Sequence, residues 1–332
     1  MSQEPGTGLA RPLSRRAILG GAVALAAPGI ASAQGDWPSK PIRIVVPFAP
    51  GGTTDISARL LAAHLGARLG GTVVVENKAG ATTTIGAAEV ARAAPDGHTF
   101  LMAPPPFVIV QFAFPNLPYD PEKDFRPVAM VLRSPFILAV RADLPVRSVA
   151  ELVALAKSRP GALTYGSPGP GSLPHVATEL FRLRTGIDIL HVPYRGGGPA
   201  LLDLAGGRLD LYFSTPPETA PHVQSGRVRV LAVATPQPSP LAPGLPTIAS
   251  TVPGLHVEYW SGLMAPAATP DAIVARVNRE TQAVLAMPEV GERLAALGSA
   301  PAPGSVEDFA RMLAAERVQF REAVAAAGIR VQ

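Results

Sequence analysis

Cysteine is absent from the 332-residue chain, which excludes disulfide frameworks, thiol nucleophiles and thiolate metal sites. Aromatic residues make up only 5% of it and no Lys or Arg cluster forms a stripe, so a nucleic-acid surface is not expected. Neither a P-loop nor a G-x-G-x-x-G fingerprint occurs, which argues against phosphate cofactors, and no cofactor of any kind is expected. No G-x-S-x-G elbow is present either. The six histidines (His64, His98, His175, His191, His222 and His256) contain no pair at helical ligand spacing, so a metal site is not expected. What the chain has in quantity is apolar residues, 47% of the total, enough for the cores of one large or two medium domains.

Net charge is +4, but three basic residues and one acidic residue precede Gln34, leaving +2 for the rest. Arg15 and Arg16 lead into an apolar run that reaches Ile30 and ends in Ala31-Ser32-Ala33. That order is the pattern of a bacterial signal peptide over residues 1–33, cleaved near Ala33 and Gln34, and the arginine pair suits twin-arginine export. Gly and Pro28 interrupt the run, which is too short for a comfortable membrane span. A periplasmic location is expected.

The segment from Lys40 to Asp55 organises the remainder. Ile42, Ile44 and Val46 alternate as a strand ended by Pro47, and Thr53, Thr54 and Asp55 are cap-type residues before a helical pattern. Between them Gly51 and Gly52 permit positive φ and close approach by a ligand, while the helix N-terminus attracts an anion. The same turn can equally serve only the backbone.

Further strands are expected at 72–76 and 99–103, with a helix at 85–94 after the polar turn Thr82, Thr83, Thr84. This β-α-β-α-β order implies parallel strands, whose carboxyl ends collect ligands. Prolines from Pro104 to Pro127 read as loop and short turns. A second unit repeats the design, with glycine-rich turns at 167–175 and 194–199 and strands at 187–192, 209–213 and 228–234. Helices fill the C-terminus and are expected to pack back on the first sheet.

Within these turns, His175 is a candidate ligand donor or a helix cap, and Tyr194 with Arg195 either contacts an anion or ends a strand. Trp260 is expected to pack, in the junction between units or in a core. Asp55, Glu76, Asp96, Glu179, Asp203, Asp210 and Glu218 all lie at helix starts, strand ends or turns, which explain them without acid–base chemistry.

The segment from Trp37 to Asp55, together with Val74 to Asn77, Ala94 to Gly97, Leu117 to Pro121 with Asp124 and Phe125, and His191 to Gly196, resembles the Bug-type receptors, periplasmic binding proteins of tripartite tricarboxylate transporters. The resemblance implies an α/β, two-lobe type II periplasmic-binding fold: each lobe is a mostly parallel sheet flanked by helices, residues 37–136 and 258–332 in one and 137–257 in the other, with hinges near Phe136 and Val257. It also implies that one ligand carboxylate is held by backbone amides at Pro47 to Gly52, beside Thr53 and Asp55. Candidate ligand-binding residues are therefore Phe48, Ala49, Gly51, Gly52, Thr53, Asp55, Thr82, Thr83, Thr84, Pro104, Ser167, Ser172, His175, Tyr194, Gly196 and Ser214.

Three stretches depart from the family pattern: Gly80 to Gly86 carries three threonines, Ala103 to Pro106 replaces a polar loop, and Ser214 stands where an aspartate is usual. With no amide donors from the prolines and no charge at Ser214, the far end of the pocket is expected to be less polar and to suit one carboxylate on an uncharged body. The function so implied is capture of a small organic carboxylate, by a monomer without catalysis, for delivery to membrane permease subunits. A sensory binding protein and a secreted hydrolase using Ser172 and His175 are the alternatives.

Overall fold

The computed structural model describes residues 37–330, so the expected export signal lies outside the described residues. The β-branched alternation forms β1 (Ile42–Val46), which sits inside a six-stranded sheet and runs parallel to β2 (Val73–Asn77) and β3 (Thr99–Ala103). The crossovers are α1 (Thr53–Leu69) and α2 (Thr84–Ala91). The other half of this sheet is antiparallel. There β3 pairs with β10 (Glu258–Pro266), β10 with β4 (Phe125–Pro135), and β4 with the short β11 (Ala300–Pro301).

A second, five-stranded sheet has the order β7 (Leu190–Pro193), β6 (Thr164–Ser167), β8 (Leu211–Ser214), β5 (Ile137–Arg141), β9 (Val228–Val233). Its helices are α4 (Val149–Ser158), α5 (Leu173–Thr185), α6 (Gly197–Ala205) and α7 (Pro216–Gln224). Both sheets are thus mixed. β8 and β9 run the same way, as a parallel set would require, but β5 lies between them antiparallel to both. The cause is the chain crossing from β4 to β5 at Phe136: a strand delivered from the other sheet enters without a helical crossover, so the right-handed parallel rule does not govern it.

One helix occupies a proline-rich stretch that reads as loop, and another, α7, fills a stretch for which no element was expected. α3 (Pro106–Ala113) begins with Pro106 in its first turn, where a missing amide does no harm, and buries Phe107, Val108, Ile109 and Val110. α7 likewise begins with Pro216 and Pro217. At the C-terminus, α8 (Asp271–Leu285) packs on β4 and α1, next to α9 (Pro288–Ala296), as the expectation of packing on the first sheet requires. α10 (Val306–Ala327) goes further: it packs on α3 and β4 and also on α5 of the second sheet, where Arg184 pairs with Glu322 at 2.9 Å. A single apolar cluster accordingly joins Val45 and Phe107 to Trp260, Phe309, Phe181 and Leu138. Trp260 is buried in it and donates from Nε1 to Glu316 at 2.8 Å.

Candidate functional site

A cavity of about 440 Å³ opens where strand ends of the two sheets face each other. From the first sheet it is lined by Phe48, Gly52, Thr53, Thr54, Thr82, Pro106 and Tyr259. The second contributes Pro168, Gly169, Pro170, Ser172, Leu173, Pro174, Gly197, Tyr212, Thr215 and Glu218, with Phe136 at the crossing between sheets. Cavities of similar size beside α3 and the end of α10 are lined by Phe112, Phe114 and Arg321 and take in no residue of the glycine-rich turns. The strand-end cleft collects turns from both sheets, and no Lys or Arg lines it.

At the first turn Gly51 has φ 93°, in the left-handed region that favours glycine, whereas Gly52 is extended at φ −81°, ψ 167°. The Gly51 amide donates to Asp55 Oδ2 at 2.9 Å. Asp55 also accepts from Asn77 Nδ2 at 2.8 Å and from Arg59 Nε at 3.1 Å, and Asn77 donates to the Phe48 carbonyl at 3.0 Å. Burial pushes the Asp55 carboxyl up, but Arg59, the Gly51 amide and Asn77 outweigh it and hold it below the usual carboxylate range. Asp55 therefore clamps the turn from beneath and does not face the cavity. Ala49 is exposed outside the lining. With no side-chain cap on α1, its first-turn amides are presented toward the cleft beside Gly52 and Thr53. The Thr54 and Tyr259 hydroxyls are hydrogen-bonded across the floor.

The second turn is strained. Ala81, Thr82 and Thr83 have φ of 44°, 48° and 81°, three consecutive non-glycine residues in the left-handed region. Only Thr82 of the three threonines lines the cavity; Thr83 and Thr84 turn inward and are buried. Gly86 lets α2 approach, since a Cβ there would lie 3.1 Å from Pro47 Cα, and this sets the second turn beside the first. Pro104 is buried outside the lining, and Pro106 belongs to it. The amides of Phe107 and Val108 are bonded to the Pro104 and Pro105 carbonyls at 2.9 Å, so the start of α3 offers the ligand an apolar wall.

In the second sheet, Ser167 is fully buried, with its Oγ 2.7 Å from His191 Nε2 and accepting from the Gly169 amide at 3.1 Å. His175 Nδ1 accepts from the Gly171 amide at 3.3 Å, and its ring stacks on His191 at 4.0 Å. Burial, then His191 and Arg182, hold His175 down to about 3, a neutral imidazole. Ser172 lines the cavity but donates to the Gly169 carbonyl at 2.7 Å. Ser172 and His175 each bond to loop backbone, so no nucleophile–base pair forms. Both shape the proline–glycine loop that faces the cleft.

Tyr194 donates to Asp203 at 2.7 Å and holds β7 to α6, outside the lining. Gly196 is the N-cap of α6 and leaves its neighbour Gly197 at the surface of the cleft. Ser214 is buried and donates to Glu218 Oε2 at 2.9 Å. The far wall is therefore not uniformly apolar, because Glu218 stands in the lining above Ser214. The lining takes in Phe48, Gly52, Thr53, Thr82 and Ser172 of the sequence candidates and leaves the others outside it. Sequence reasoning missed Tyr212, Tyr259 and Glu218. The last had a signal: Thr215 and Glu218 have capping-box spacing, which marks the start of α7 despite its prolines.

The family described as tripartite tricarboxylate transporter family receptor matches residues 57–328. Protein BugT of Bordetella pertussis is 37% identical over 290 residues, covering 86% of this chain and 88% of that protein. Among solved structures, R. palustris Rpa4515 with adipate is 39% identical with a TM-score of 0.74, covering 89% of this chain and 99% of that one. MatC from Rhodopseudomonas palustris with bound malate is 33% identical with a TM-score of 0.71, covering 86% and 99%.

Proposed function

This chain belongs to the tripartite tricarboxylate transporter receptor family, periplasmic solute-binding proteins rather than enzymes, and from that premise we propose that it captures a small organic carboxylate and delivers it to membrane permease subunits. The observation that carries the reading is the cleft itself: about 440 Å³ between two sheets, with the uncapped start of α1 at one side and no Lys or Arg in the lining. An anion in such a site is met by backbone amides and the helix dipole. Solved relatives with adipate and malate supply carboxylates of fitting size. Residues 37–136 with 258–332 and residues 137–257 act as lobes that close about Phe136 and Val257, where the chain passes between the sheets.

A thermal-shift panel of mono-, di- and tricarboxylates tests capture: a ligand at 100 times its Kd adds about 2.7 kcal/mol of stability. Loss of uptake of that same compound when the gene is deleted tests delivery. A panel without any shift overturns the reading.

A further inference from the structure

The cleft has two chemically unlike poles. On one side lies the start of α1, which favours negative charge; on the other stands Glu218, in the first turn of α7. Glu218 makes no ion pair among the described residues, and its one side-chain partner is Ser214 Oγ, which donates to Oε2 at 2.9 Å. Glu218 is an exposed residue of the lining, and its other oxygen carries no hydrogen bond among the described residues. The carboxylate also acts on both tyrosines of the lining. Burial first, and then the charge of Glu218, raises the Tyr212 hydroxyl above its ordinary range; the same charge adds to the effect of burial on Tyr259. One of these rings comes from the second sheet and the other from the first, so the charge of Glu218 reaches a group on each.

A ligand that placed a carboxylate at this second pole would face Glu218 with no cation to offset the repulsion. Closure of the lobes would worsen it, because two like charges would lose water together. A group that donates hydrogen bonds, above all an ammonium, would instead meet an acceptor already held by Ser214.

Resting on the carboxylate-receptor reading, we infer that Glu218 is a specificity-determining residue that selects ligands with a carboxylate at one end and an amine at the other, against dicarboxylates of equal length. The exclusion of a second carboxylate is as much a part of this selection as the attraction of the amine. The neighbouring structure with adipate shows that a six-carbon chain fits this fold, so matched pairs differing only at the far end isolate the effect.

The experiment measures, by calorimetry, the affinity of wild type and Glu218→Gln for succinate against 4-aminobutanoate, adipate against 6-aminohexanoate, and suberate against 8-aminooctanoate. Melting temperature verifies the fold of the variant. Wild type should favour the amino acid of the best-binding pair by about tenfold or more, and Glu218→Gln should shift that ratio toward the dicarboxylate by at least the same factor. A wild-type preference for the dicarboxylate, or a ratio unchanged by Glu218→Gln, overturns the role of Glu218 while leaving carboxylate capture standing. If wild type binds no member of the series and no compound of the wider carboxylate panel, the receptor reading falls and this inference with it.

Discussion

The two strand-to-helix turns of the first sheet, after β1 and after β2, occupy neighbouring strand ends and yet are built by opposite rules. The first places glycine where φ is 93°, and Asp55 ties its backbone with bonds from Gly51, Asn77 and Arg59. The second places Ala81, Thr82 and Thr83 in the left-handed region, where each L side chain costs on the order of 1–2 kcal/mol. A turn relaxed by its own sequence serves any ligand with the same end group. A turn held in strain by its surroundings presents a particular side chain, here Thr82, to the ligand's body.

Removing the clamp of the relaxed turn should have the largest effect. Asp55→Ala strands the Gly51 amide and the Asn77 side chain, and thermal or urea unfolding should show a loss of about 2–3 kcal/mol. Its pH dependence has a fixed sign. Because the folded pKa of Asp55 is lowered, its contribution is present above the ordinary carboxylate value of about 4 and is lost as pH falls through the lowered folded value. The unfolding free energy of wild type should converge on that of the alanine variant in acid. Gly51→Val comes next: the Cβ meets no atom within 4 Å, so its cost is conformational, about 1–2 kcal/mol, with carboxylate affinity reduced about tenfold.

The strained turn should respond with the opposite sign. Thr82→Gly should raise stability by about 1 kcal/mol by releasing the left-handed residue, while calorimetry records weaker binding because the hydroxyl is gone. The smallest effect belongs to Gly52→Ala, whose backbone is extended and whose added Cβ meets nothing within 4 Å. Its stability should change by less than about 0.5 kcal/mol, and a large loss would erase the distinction between the two glycines.

The same contrast explains what was legible in the sequence. Strand, glycine turn and helix start around Gly51 are local features, and local pattern found them. The left-handed run at Ala81 to Thr83 was invisible because no residue there prefers it. A proline tract hid α3, since Pro106 occupies a first turn where the ring is tolerated but reads as a loop, and α7, which also begins with prolines, was not anticipated. The antiparallel placement of β5 depends on pairing across 70 or more residues, as with Ile137 and Ser214, and no local pattern carries it. Among site residues, segments were found more readily than directions. Ser167 and Ser214 end their strands and His175 and Tyr194 follow in the expected turns, but their side chains bond among elements of the second sheet, and the surface of the cleft falls to their neighbours.

In the proposed reading the first-turn amides of α1 hold the ligand carboxylate while Gly51 serves only the turn. Amide chemical shifts in a ¹H–¹⁵N titration, with adipate or 6-aminohexanoate, whichever binds more tightly, test it most directly. The largest downfield proton shifts are expected at Gly52, Thr53 and Thr54, with the Gly51 amide, already bonded to Asp55, moving least among them. Saturable binding that leaves those three amides unmoved, or that perturbs Gly51 most, would contradict it.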